Sequence, residues 1–476
     1  MLRPVAYVFD LDHPHDLPAS ELAGLVGGKA ANLATMTREL GLPVPPGFTV
    51  STAACRSYLG SGWPVGLDEE LRLHIARVEQ RVGRRFGDSS DPLLVSVRSG
   101  APVSMPGMMD TILDIGLGGA ATSGLARVTG DAAFASDCER RLRAMYHDIV
   151  GQDVPADPWD QLRGAVEAVF RSWNSERARS YRRYEGISDD LGTGVTVQAM
   201  VFGNRGPSSA TGVLFTRNPA NGEPTLYGDV LFGAQGEDVV AGTHRTEPIA
   251  VLDSRLPAVA RQLREYADRL ERHYADLCDI EFTIEEGTLW LLQVRVGKRS
   301  AQAALRIALD MATAADFPLS REAAVRRVAR NLAQPPVVAV RAGDGSHPIG
   351  TGLPASPGVA TGEIVTSPDA AVTAADAGRS VILVRSETSP DDVHGMARAA
   401  GVLTARGGLA SHAAVVARGW GIPAVVGLGG LHVGESAIVL DGRRLSPGAT
   451  ITIDGDTGEV FEGAVGGRTT VAPEAT

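Results

Sequence analysis

The run Thr404-Ala-Arg-Gly-Gly-Leu-Ala-Ser-His412-Ala-Ala-Val-Val-Ala-Arg418 places one histidine behind a glycine pair and at the head of a short apolar helix. Glycine lets backbone N–H groups approach an anion closely, and the first turn of a helix offers unpaired donors with the positive end of its dipole. Ser411 is the natural N-cap. Imidazole has an ordinary pKa of about 6.5, so near neutrality one ring nitrogen is free to attack a phosphoryl group and later release it. His412 is the candidate nucleophile, in a phosphate-accepting loop of Arg406, Gly407, Gly408 and Ser411. A lone histidine at a helix start is more often a cap or a polar surface residue, and the flanking glycines are what argue otherwise.

A second constellation lies in two alternating runs, Asp279-Ile-Glu-Phe-Thr-Ile284 and Leu289-Trp-Leu-Leu-Gln-Val-Arg295. They predict a β-hairpin closed by a three-residue loop, Glu286 to Thr288, which sets Glu281 opposite Gln293 and Asp279 opposite Arg295. Ile280, Phe282, Leu292 and Val294 then form the core face. The opposite face is then free to carry chemistry; the plainer alternative is a surface cross-strand ion pair of Glu281 with Arg295 worth about 0.2 to 1 kcal/mol. Gly27-Gly-Lys29 reads as a glycine turn entering a helix, but Ala30 stands where the Walker pattern needs Ser or Thr. The strand Pro92 to Arg98 ends in a basic residue, and the glycine and proline of the loop after it suit a flap over phosphates.

The histidine run closely resembles the phosphohistidine motif of the phosphoenolpyruvate-utilising enzymes, above all the pyruvate phosphate dikinases. Leu409 and Ala410 depart from it, standing where methionine and threonine are usual. The threonine is the regulatory phosphorylation site in plant members, so the resemblance implies that such control is absent. The first domain resembles the nucleotide-binding half of the same family through Gly27-Gly-Lys29-Ala-Ala-Asn-Leu, Ser96-Val-Arg98-Ser-Gly-Ala, Ser104-Met-Pro-Gly-Met-Met-Asp-Thr111, Thr216-Arg217-Asn-Pro219, Gln235-Gly-Glu237-Asp-Val-Val-Ala-Gly242 and Gly297-Lys-Arg-Ser-Ala-Gln-Ala-Ala304.

The resemblance implies an α/β multidomain protein, with an ATP-grasp nucleotide-binding domain followed by a swivelling β/β/α phosphohistidine domain. It implies Lys29, Arg98, Glu237, Glu281, Gln293 and Arg295 as nucleotide-binding residues, with Glu281 and Gln293 as ligands of Mg²⁺, the cofactor held with ATP. Asp229 occupies the place of the family's glutamate, one methylene shorter. Ser104, Met105, Pro106, Gly107 and Thr111 are assigned to the phosphate loop.

These groups need a scaffold, and 476 residues with 44 % hydrophobic content provide for two to four domains. Periodicity predicts helices over about 158–185, 255–276 and 300–332, with strands at 194–202, 381–384 and 401–404, and a further helix is expected to be entered at Ser389-Pro-Asp-Asp. The boundaries read as an ATP-grasp domain at 1–310, a helical segment and linker at 311–348, a phosphohistidine domain at 349–465 and a disordered tail at 466–476. Cys55, Cys138 and Cys278 lack metal or disulfide spacing and read as packing residues. A formal charge of −11 argues against nucleic acid and acidic membranes as partners, and the absence of a long apolar run or signal peptide makes the cytoplasm the default location.

The expected activity is dikinase-type phosphotransfer: MgATP, with phosphate as second acceptor, phosphorylates His412 and yields AMP and pyrophosphate. The resemblance implies that the family's pyruvate-binding barrel is not part of this sequence, and that a helical insertion the family usually carries between the Ser104 to Thr111 loop and Trp159 is largely absent. Phospho-His412 is therefore expected to deliver to pyruvate on a separate acceptor-domain protein. Two alternatives stand beside this: a small-molecule hydroxyl acceptor, as in the rifampin phosphotransferases and phenylphosphate synthases, and a noncatalytic regulatory or assembly subunit. Retention of the site residues argues against the last.

Overall fold

A computed structural model describes residues 6–103, 105, 109–241, 246–335, 337–341, 347–409, 411–434, 437–465 and 467–471. The chain divides into two compact units, Met1–Arg205 with Trp290–Val294, and Gly206–Leu289 with Arg295–Thr476.

In the first unit a five-stranded sheet has the order β1 (Val8–Asp10), β2 (Gly47–Val50), β5 (Gly194–Ala199), β3 (Val95–Gly100) and β4 (Thr111–Ile115). Helices α2 (Leu67–Val82) and α3 (Pro158–Ser172) cover it. The predicted period of α3 is realised as an apolar stripe of Leu162, Ala165, Val166, Val169 and Phe170, packed in one core with Phe48, Val95 and Val97. Asp157 caps α3 by accepting from Trp159 N at 2.8 Å, with Pro158 in the first turn. The short helix α1 (Gly28–Ala34) enters from Gly27, whose φ of 85° is open to glycine but strained for other residues.

Another five-stranded sheet has the order β8 (Glu247–Pro248), β7 (Tyr227–Phe232), β6 (Ala210–Phe215), β9 (Cys278–Glu285) and β10 (Thr288–Val296), its residues belonging to the second unit except for Trp290–Val294 of β10. Around it lie α4 (Gly236–Ala241), α5 (Pro257–Tyr274) and α6 (Ala301–Thr313). The loop between β9 and β10 is shorter than expected. It is a two-residue turn with Glu286 and Gly287 at φ of 47° and 80°, the positive-φ pair that matches strand twist in a tight hairpin.

The histidine-bearing module of this unit is built on an eight-stranded sheet. Its order is β12 (Gly350–Thr351), β19 (Glu459–Glu462), β18 (Thr450–Asp454), β14 (Val359–Val365), β15 (Val381–Arg385), β16 (Gly401–Thr404), β17 (Ala424–Val426) and β13 (Leu353–Ser356). The strands β14 to β17 run parallel, and β15 to β17 are buried on both faces, which explains their largely apolar composition. Alternation sorts Val381 and Leu383 into the core beneath α7 (His412–Trp420), and Ile382 and Val384 into the core on the other face.

Two expectations are corrected. Residues inside the linker and the tail pair as strands, β11 (Val337–Arg341) antiparallel to β20 (Gly467–Val471). Their partners lie about 130 residues apart in sequence, a separation that local composition does not reveal. The segment entered at Ser389 is a single 3₁₀ turn and a four-residue helix, Val393–Met396, rather than a longer helix.

Candidate functional site

In the first unit the glycine turn and the basic strand meet. Gly28 N donates to Ala101 O at 2.9 Å, and a Cβ on Gly27 would lie 1.7 Å from Gly100 O, so only glycine allows the approach. Lys29 follows directly, its Cβ side against Gly100. Arg98 leaves the same strand between Thr196 of β5 and Thr111 of β4, and its Nε is buried with no hydrogen-bond partner among the described residues. Lys29 and Arg98 therefore flank one loop junction. Met105 is buried and Thr111 starts β4, while Ser104, Pro106 and Gly107 lie outside the described residues. Gln293, on the Trp290–Val294 segment of this unit, is buried beside Val294, whose carbonyl accepts from Asn32 of α1 at 2.8 Å.

In the second unit, register places the remaining residues on one sheet face. Phe215 pairs with both Tyr227 and Asp279, and Val213 pairs with both Asp229 and Glu281. Directly paired residues share a face, as do residues two apart on a strand. Tyr227, Phe215 and Asp279 thus form one row, and Asp229, Val213 and Glu281 the next. Arg295 joins the first row, its Nε donating to Asp279 Oδ2 at 2.7 Å, as the hairpin reading expects. Burial pushes the Asp279 carboxyl above its usual range, and Arg295 counters that rise. Glu237 sits in the first turn of α4, a helix entered where Gln235 N donates to Asp238 Oδ2 at 3.0 Å.

His412 opens α7 after Gly407, whose φ is 107°. Ser411 holds the N-cap position, but its hydroxyl makes no capping bond; it is buried without a partner among the described residues. Thr404 Oγ1 donates to Arg406 O at 2.6 Å and fixes the loop, while the Arg406 side chain is exposed. Thr388 Oγ1 lies 3.3 Å from His412 Nδ1, and Nε2 is buried with no hydrogen-bond partner among the described residues. Burial lowers the imidazole's pKa, opposed by the carboxylate of Asp392, so the neutral ring is favoured. Asp392 is itself held by Arg385 at 3.1 Å and by Ser389 N at 2.8 Å.

The histidine loop is seated on the sheet face just described. Gly408 packs so closely on Asp229 that an added Cβ would lie 2.3 Å from Oδ2. Tyr227 Oη donates to Pro354 O at 2.9 Å, and the Arg418 guanidinium lies 5.0 Å from the Phe215 ring centroid. Thr388, Asp392, Tyr227 and Arg418 were not singled out by sequence reasoning. Arg418 carried a usable signal, because it lies four residues after Ala414 on the apolar stripe of α7, where a charge is out of place. Thr388 sits in an irregular turn with no comparable pattern.

The donor chemistry fits Mg²⁺. Asp229 and Glu281 present hard oxygen ligands, and no group of three or more His, Cys, Asp or Glu forms a protein-only cage among the described residues. Magnesium is commonly held by one or two carboxylates with substrate phosphates completing the shell. All three cysteines are buried thiols, and among the described residues no helix is long and apolar enough to cross a membrane.

Comparison with known proteins gives this arrangement a lineage. The family model for the pyruvate phosphate dikinase AMP/ATP-binding domain matches residues 23–62, 64–262 and 253–316, and that for the PEP-utilising enzyme mobile domain matches 378–458. The chain is 46 % identical to a pyruvate, phosphate dikinase of Rhizobium meliloti, covering 92 % of this chain and 56 % of that protein. Identity is 44 % to the Clostridium symbiosum enzyme, over 94 % and 57 %, and 44 % to the chloroplastic one of Flaveria pringlei, over 93 % and 52 %. The chain spans about half the length of the curated relatives it matches. The first alignment is 507 positions long, more than the whole chain, so that relative carries segments with no counterpart here. The fold is accordingly an ATP-grasp nucleotide-binding domain followed by a swivelling phosphohistidine domain, and the chain belongs to the pyruvate phosphate dikinase family.

Proposed function

We propose that the protein is an ATP-dependent phosphotransferase in which His412 carries the phosphoryl group. The observation that carries this reading is the seating of the His412 loop on the sheet face bearing Asp229 and Glu281. Lys29, Arg98 and Arg295 are proposed to neutralise the triphosphate, and Glu237 to contact the nucleotide. Glu281 and Gln293, with Asp229 nearby in register, would hold Mg²⁺, which supplies charge neutralisation between phosphates.

Thr388 engages Nδ1 and so orients the ring, leaving Nε2 as the attacking atom. Nε2 bonds to the β-phosphorus of ATP as the α,β-bridging P–O bond breaks, and AMP leaves with the oxygen. Inorganic phosphate then attacks the γ-phosphorus of the pyrophosphoryl-histidine, releasing pyrophosphate and leaving phospho-His412. The neutral ring needs no prior loss of a proton, which suits a histidine whose pKa burial holds low. The names of the relatives support pyruvate as final acceptor.

The test is AMP formation from MgATP and phosphate, with ATP labelled in turn at the β and γ positions. The expected outcome is β label on the protein and γ label in pyrophosphate. His412→Ala should abolish AMP release while leaving ATP affinity within about twofold. Equal AMP release by the variant would show that ATP is cleaved by another route.

A further inference from the structure

One group on the docked sheet face has no part in the phosphotransfer chemistry. Arg418 lies six residues beyond His412 on α7 and is 1 % exposed. Its Nη2 donates to Leu409 O at 2.6 Å, which ties it to the histidine loop, and its guanidinium stacks on Phe215 of β6. The acidic groups facing its charge are on the sheet: Tyr227, Asp279 and Asp229. Around it, Tyr227 reaches Pro354 of β13, and the stem of Lys298 packs on Gly419, where an added Cβ would meet Cδ at 3.2 Å. The neighbouring buried positions of α7, Ala413, Ala414 and Ala417, are small and apolar, so the helix needs no arginine for its own packing.

Docked, the guanidinium donates to Leu409 O and lies over the Phe215 ring, facing the charges of Asp279 and Asp229, while Nε and Nη1 are buried without hydrogen-bond partners among the described residues; undocked, water solvates it at little cost. An apolar residue of the same size would bind the sheet but resist exposure, which would oppose release. We propose that Arg418 is a positioning residue, a charged key that fixes the His412 module on the Tyr227–Phe215–Asp279 row for transfer from the nucleotide and lets it leave afterwards. This rests on the proposed function and adds to it the contact that sets the orientation of His412.

The experiment compares the full chain with Arg418→Gln, Arg418→Lys and Tyr227→Phe. Single-turnover labelling of His412 at saturating MgATP is measured by rapid quench, alongside MgATP affinity and thermal melts. Arg418→Gln should slow labelling by at least about tenfold with affinity within about twofold, and Arg418→Lys should recover part of the loss. Tyr227→Phe removes a docking bond from the sheet side and should slow labelling in the same direction. Hydrogen exchange along Tyr227–Phe232 gives a readout independent of turnover, and Arg418→Gln should increase it. Wild-type labelling rates in both Arg418→Gln and Tyr227→Phe would overturn the proposal. So would a loss in Arg418→Gln matched by its loss of folded protein while Tyr227→Phe stays at the wild-type rate. If the wild-type protein takes no label, the phosphotransfer reading fails, and the exchange measurement alone decides whether Arg418 holds the module.

Discussion

Gly408 and Asp229 are in contact so close that the glycine's missing side chain is what permits it: a Cβ would sit 2.3 Å from Oδ2 and 2.9 Å from Thr246 Oγ1. Asp229 is 3 % exposed and cannot swing into solvent to make room. On the proposed reading, Gly408→Ala should lift the histidine loop from the sheet and slow His412 phosphorylation by about tenfold, because small misplacements of a reacting group are costly. MgATP affinity should stay within about twofold. Rapid-quench labelling with a parallel binding titration checks this, and a wild-type rate would count against the seating.

The surroundings of His412 fix the sign of its pH dependence. Burial lowers its pKa below the ordinary value, Asp392 pulls the other way, and Thr388 is the polar neighbour at Nδ1. The attacking form is neutral, so the acid limb of the phosphorylation rate should have its midpoint below about 6.5 and a plateau above it. The same depression means that the unfolded chain binds the proton more readily than the folded one. The associated stability is therefore fully present above the unfolded pKa and lost as pH falls through the folded pKa. A rate profile with its midpoint above that of free imidazole would contradict the assignment.

Arg295 faces two demands, because it is a proposed triphosphate ligand and also the partner of buried Asp279 at 2.7 Å. Arg295→Met should leave that carboxylate uncompensated and cost on the order of 2 kcal/mol, reduced from the fully buried case because the Arg295 side chain is 27 % exposed. The Asp279 pKa, already raised by burial, should rise further. Its penalty grows as pH rises from the unfolded value through the folded one, so the variant should be weaker at pH 8 than at pH 5. Denaturant unfolding at the two pH values tests this. A loss of ATP binding with no change in stability would mean that the ion pair has no structural part.

Much of the scaffold was legible because its patterns are local. The stripe of α5, the run Val381 to Val384 and the glycine entry to the His412 helix all appear as predicted. The alternation of β9 and β10 also revealed the Asp279–Arg295 pairing, although the turn between them is one residue shorter than read. The pairing of Val337–Arg341 with Gly467–Val471 was hidden because nothing in a short polar-flanked strand names a partner so far away. Thr388 and Asp392 were missed for a related reason, since they reach His412 through a turn and not through a motif. Arg418 was the one omission with a visible mark, a cation on an apolar helical stripe.

The most direct test is mass spectrometry of the protein after incubation with MgATP and phosphate, under alkaline conditions that preserve N–P bonds. The account predicts a single added phosphoryl group at His412, absent from His412→Ala and transferable onward when an acceptor is supplied. An unmodified His412 in protein that nonetheless binds MgATP would contradict it.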